Sequence, residues 1–207
     1  MKTMITYAMV FLTSLSYAQN NYQDGMNKAF ELWFNKQDAQ ALNVFERIAN
    51  AEQDNWVPHY YVAQMNILKS WGVKDESVLK AQLDKAQEHL NTAMSLSADN
   101  AELLILQAQI YTNWIAYDGM TYGMTYSGKI TELYNKAYAL DPQNPRVVLS
   151  KAEWDMGSAR YFGQDPTPHC TKVKDAITLF ETYEVAGEFY PDWGREHAKN
   201  VMASCNQ

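Results

Sequence analysis

Apolar residues recur along this chain at helical spacing. Leu103, Leu106, Ile110 and Trp114 form one stripe, and Leu104, Ala108, Tyr111 and Ile115 form a second on the same segment, with the three- and four-residue steps of an α-helix. A helix that is apolar on two sides needs a neighbour on each. Further helices are predicted from Leu42, Phe45 and Ala49 after a cap at Asp38, and over Ser77–Ser97 from Leu79, Leu83, Ala86, Leu90 and Ala93. Ile130–Leu140, a segment capped by Thr167 with Val173, Ile177 and Phe180 inside, and a closing stretch from Pro191 to Cys205 complete the set. No segment alternates with period two for more than a few residues, so the predicted fold class is all-α.

The helices repeat. Asp54-Asn55, Asp99-Asn100 and Gln143-Asn144 each open a unit, with Ala63, Ala108 and Ala152 nine residues further on. Counting back nine from Ala198 reaches Phe189, so the starts lie 45, 44 and 46 residues apart. Asn100 and Asn144 suit N-cap positions, and Pro145 suits the first helical position, where its missing N–H costs nothing. Pro58 falls in a first turn for the same reason. Four helix pairs and a C-terminal capping helix, stacked as a solenoid, follow from this spacing.

Ala137-Tyr138-Ala139-Leu140-Asp141-Pro142-Gln143-Asn144-Pro145 resembles the tetratricopeptide (TPR) family, whose second helix ends in Ala, Leu, Asp, Pro before Asn-Pro opens the next repeat. Ala93 to Asn100 is a looser copy, and the four alanines match the family's close-packing position. The resemblance runs from about Asn20 to the end, with units longer than the family's ~34 residues. It implies an α-α superhelix that binds other proteins or peptides.

Met1, Lys2 and Thr3 precede an apolar run from Met4 to Leu15, and Ser16-Tyr17-Ala18 supplies small residues for signal-peptidase cleavage between Ala18 and Gln19. The run is shorter than the ~20 residues a membrane span needs. Residues 1–18 therefore read as a signal peptide and 19–207 as one helical-repeat domain, periplasmic or secreted and not inserted in a membrane after cleavage. The net charge is −7, with no long basic cluster. That balance argues against nucleic acid and against anionic membrane surfaces.

Aromatic content changes the picture more, at 14 Tyr and 6 Trp. Tyr and Trp suit surfaces that are apolar and hydrogen-bonding together, although they also pack ordinary helices. Gly119-Met120-Thr121-Tyr122 is duplicated as Gly123-Met124-Thr125-Tyr126, and Asp118-Gly119 reads as the opening of a loop over 118–128. This loop either contacts a ligand or covers the ends of its own helices. The loop at 160–168 has the same character. Candidate contacts are Tyr111, Trp114, Asp118, Tyr122, Tyr126, Trp154 and Tyr161, of which Tyr111, Trp114 and Trp154 also fit a core. Gly123 to Lys129 has phosphate-loop spacing, but Ile130 stands where Ser or Thr should hold Mg²⁺, and no strand precedes it.

Cys170 and Cys205 lie on the inner stripes of the last two helices. A tight Phe189-Tyr190-Pro191 turn would make these antiparallel and bring both cysteines to the open end of the hairpin. In an exported chain the pair reads as a disulfide; two separately buried thiols are the alternative. A metal site is disfavoured, since His197 and Cys205 are about 12 Å apart along a helix. His59 and His89 read as isolated surface or packing residues. With no cofactor or catalytic motif, the expected function is an exported scaffold for an unidentified protein or peptide partner, without catalysis. Two alternatives stand beside it: a small-ligand pocket under the 118–128 loop, and an enzyme with an unrecognised site.

Overall fold

The computed structural model describes residues 21–205. The signal segment and the cut at Ala18 lie outside the described residues. Within them run nine α-helices: α1 (21–34), α2 (Asp38–Ala51), α3 (Trp56–Ser70), α4 (Glu76–Leu96), α5 (Ala101–Tyr117), α6 (Gly119–Leu140), α7 (Pro145–Tyr161), α8 (Cys170–Thr182) and α9 (Arg195–Ser204). Asn55, Asn100 and Asn144 each accept a backbone N–H from two residues ahead at 3.0 Å, opening α3, α5 and α7 with the same chemistry. Pro58 and Pro145 fall in first turns. Short links fold consecutive helices into antiparallel pairs, and α3, α5 and α7 pack side by side. Ala63, Ala108, Ala152 and Ala198 are 0%, 0%, 2% and 0% exposed, so the small residue repeated in sequence marks close packing in each unit. The architecture is an all-α, TPR-like array of four helix pairs with α9 closing it.

Several local boundaries differ from the sequence reading. Asp38 lies inside α2, and Gln37 precedes it without a side-chain cap. Thr167–His169 is a short 3-10 turn in which the Asp165 carboxylate accepts the Thr167 N–H at 2.9 Å, and α8 starts only at Cys170. The larger correction is at 118–128, which is helix and not loop. Asp118 ends α5 and caps α6, accepting N–H groups from Met120 and Thr121 at 3.0 and 3.1 Å. Gly119, Gly123 and Gly128 cost this helix roughly 1.5–3 kcal/mol relative to alanine. Ring packing of Tyr122 and Tyr126 against α5 offsets that. There is consequently no loop to roof a pocket.

The link before α9 is not a tight turn either. Residues 183–194 form a strap that leaves α8, reaches the first two helix pairs and returns. Gln23 Nε2 donates to Glu188 Oε2 at 2.8 Å, Tyr61 Oη to the Phe189 carbonyl at 2.9 Å, and Trp193 Nε1 to Tyr60 Oη at 2.7 Å. Tyr190 packs edge-on against Trp56 with ring centroids 4.9 Å apart. Phe189 holds a left-handed φ of 59°, a conformation that costs a bulky residue free energy and persists only where packing enforces it. Cys170 and Cys205 are bonded, with Cα atoms 5.9 Å apart, which ties α9 to the start of α8.

Beneath the strap, α5 and α7 share a buried ion pair. Glu102 Oε1 accepts from Arg146 Nη2 and Nε, both at 2.7 Å, and from Asn144 Nδ2 at 2.6 Å. Arg146 is 2% exposed and Glu102 7%. Arg146 Nη1 and Glu102 Oε2 have no hydrogen-bond partner among the described residues; a buried orphan of this kind costs about 1–3 kcal/mol.

Candidate functional site

Four of the singled-out residues come together where α5 ends and α6 begins. Tyr111 stacks on Tyr126 at 4.6 Å and 7°. Tyr126 continues to Tyr122 at 6.0 Å and 15°, and Tyr122 to Trp114 at 4.9 Å. Positions four apart on one helix share a face. The Gly-Met-Thr-Tyr duplication thus places its two tyrosines in a row against α5, giving a ladder of half-buried rings.

Polar groups frame the ladder. Asp118 sets the start of α6, and its carboxyl is held below the usual range by the Thr121 hydroxyl and then the Thr121 N–H. Tyr122 Oη donates to Glu76 at 3.2 Å, and burial followed by this carboxylate raises the phenol above its ordinary value. The Lys129 ammonium lies 5.8 and 5.6 Å from the Tyr111 and Tyr126 ring centres. Trp154, on α7, donates its indole N–H to Thr131 Oγ1 at 3.0 Å and packs against the buried cluster that Tyr111 and Tyr126 also flank. Tyr161 does not join: it stands 80% exposed beside Phe162, away at the end of α7. Met120 and Met124, on another face of α6, are 95% and 96% exposed. An unpacked methionine pair is an adaptable apolar surface.

Two constellations escaped the sequence reading. His59 and His89 are not isolated: their Nδ1 atoms face each other at 3.0 Å between α3 and α4. Burial lowers the pKa of both, and His59 lowers that of His89 further. Glu102 and Arg146 each stand two residues after a capping Asn, so opposite charges at one register of consecutive units were the available signal. Among the described residues, no three His, Cys, Asp or Glu side chains gather as a metal site, and no helix is long and apolar enough to cross a membrane.

No protein-family model matches the sequence, and no curated protein matches it. Among solved structures, the HusA haemophore from Porphyromonas gingivalis superposes with a TM-score of 0.77 at 21% identity, over 89% of this chain and 92% of that one. A thermophilic TPR protein from Thermus thermophilus matches at a TM-score of 0.44 and 14% identity, over 89% and 98%. The first likeness speaks for the fold; the second is too loose to argue from.

Proposed function

We propose that this protein is a non-catalytic binding protein working outside the cytoplasm, in the periplasm or secreted, and that it takes haem on the α5–α6 aromatic ladder. The observation that carries the reading is the ladder itself. Rings in a row with a lysine beside them suit a flat, apolar macrocycle that bears carboxylates, through stacking and a charge-assisted contact. Haem is the first member of that class to test, because the HusA haemophore has this fold. Export is supported by the signal-like segment at 1–18 and by the Cys170–Cys205 bond, since disulfides persist in oxidising compartments.

Spectroscopic titration with haemin, and with metal-free protoporphyrin, tests the reading. A saturable one-to-one change in the Soret band is expected, and Tyr122→Ala combined with Tyr126→Ala should weaken binding about fivefold or more, at ~0.5–1.5 kcal/mol per aromatic contact. Saturable binding that ignores this double variant would remove the ladder from the proposal. The absence of any spectral change would remove haem.

A second reading, a protein partner, is favoured by the exposed Met120 and Met124. Crosslinking in intact cells should then recover one specific protein, and Met120→Ser with Met124→Ser should abolish its capture. Loss of haem binding by those variants would argue against separate surfaces.

A further inference from the structure

The strap closes one side of a cavity of about 300 Å³ set among the N-terminal ends of α3, α5 and α7. Glu102 and Arg146 belong to its wall, as do Trp56 at the start of α3 and Tyr190 and Ala186 of the strap. The ladder residue Trp114 is twelve positions from Glu102 on α5, roughly 18 Å along the helix axis. The cavity is therefore a separate place from the ladder, and nothing about it depends on whether haem binds there.

Most of the charged side chains of its wall are paired with one another or with a neighbour. Asp99 meets Lys136 at 2.9 Å, and Asp141 accepts from Tyr183 Oη at 3.0 Å. Glu102 and Arg146 neutralise each other through Glu102 Oε1. Of its buried side-chain atoms, one donor, Arg146 Nη1, and one acceptor, Glu102 Oε2, are without a partner among the described residues. An anionic ligand would reach Arg146 only among three carboxylates, and a cationic one would have to compete with a guanidinium for them. A neutral ligand whose groups both donate and accept meets the outstanding demand, and a hydroxyl group does both. Trp56 and Tyr190 add aromatic surface for a C–H-rich face, the combination of apolar wall and few convergent polar groups that marks small-molecule sites. The volume is at the lower end for such sites, sufficient for one sugar-sized ring and too small for a tetrapyrrole.

We propose that this cavity binds a small neutral polyhydroxylated molecule of single-sugar-ring size, with Arg146 donating to one hydroxyl and Glu102 accepting from another. Because Tyr190 and Ala186 come from the strap, the site exists only when the strap is seated, and an occupied site holds the strap in place.

Glucose, galactose, mannose and N-acetylglucosamine, added singly to the full chain at millimolar concentration, are the probes. Calorimetry and tryptophan emission are the readouts, since Trp193 belongs to the strap and Trp56 packs against its Tyr190. At least one sugar should bind saturably and raise the melting temperature. Ala186→Phe, at the exposed rim, should weaken that binding at least tenfold while the melting temperature without sugar and the haemin titration stay as in wild type. Arg146→Lys, which keeps the charge but removes Nη1, should weaken it too. Four sugars without saturable binding would mean ordered water only at the ion pair and would overturn the proposal, as would binding that Ala186→Phe leaves unchanged. Tighter binding of acetate or methylammonium than of any sugar would overturn the neutral class.

Discussion

His59 and His89 share one short contact between two ring nitrogens, so at least one of the two must be unprotonated there. Burial lowers both pKa values from 6.5, and Lys85 lowers that of His89 slightly, against Glu88 and Glu46, which raise it. The folded chain therefore binds fewer protons at these sites than the unfolded chain. Their contribution to stability is complete above pH 6.5 and is lost as pH falls through the depressed folded values. His197 works in the opposite sense: its hydrogen bond to Glu153 raises its pKa. That contribution is present below 6.5, disappears as pH rises, and is weakened by solvent at this half-exposed site. The histidine pair should dominate, so the melting temperature at pH 5 is expected below that at pH 7.5. His89→Gln should flatten the profile; an unchanged slope would show that the pair is not its source.

At the scale of a helix, α6 shows what caps and packing decide together. Its first ten residues contain three glycines, and Asp118-Gly119 is a turn signal in sequence. Helical form follows from Asp118 capping the first turn and from two tyrosines finding rings on α5. Those rings are contributed by a neighbouring helix, so local propensity alone reads the segment as loop. A Cβ added at Gly123 would meet nothing within 4 Å, and its φ is not left-handed. Gly123→Ala should therefore stabilise the protein by about 0.5–1 kcal/mol, read from thermal or urea unfolding. Destabilisation would mean that the helix does not persist there in solution.

Across the whole molecule, the strap and the disulfide act on one another. Cys170–Cys205 pins α9, and the strap that precedes α9 lies against α1 and α3, far away in sequence. With the two cysteines 35 residues apart, replacing both by Ser should cost about 3–4 kcal/mol on the chain-entropy account. It should also raise protease sensitivity within 183–194 before global unfolding begins. Equal melting temperatures for the oxidised and double-serine proteins would show that the bond carries no stability, and two free thiols by intact mass in exported protein would deny the bond itself.

The helix pairs, their 45-44-46 spacing, the Asn caps and the cysteine partnership were legible along the chain, because each rests on contacts repeated within a unit or between adjacent ones. Periodic apolar positions report which face a helix buries, and short links report which neighbour it meets. Side-chain groupings across units are another matter. The joining of Tyr122 and Tyr126 to Tyr111 and Trp114, the meeting of His59 with His89, and the shared burial of Glu102 and Arg146 depend on how far each helix is rotated about its axis. Residues 183–194 have no periodicity to read, and the surfaces of α1 and α3, with Asp141 and Arg146 at the α6–α7 junction, determine where they lie. The repeat is thus written locally, whereas the ladder, the ion pair and the cavity arise where distant segments converge, through packing that no single segment encodes.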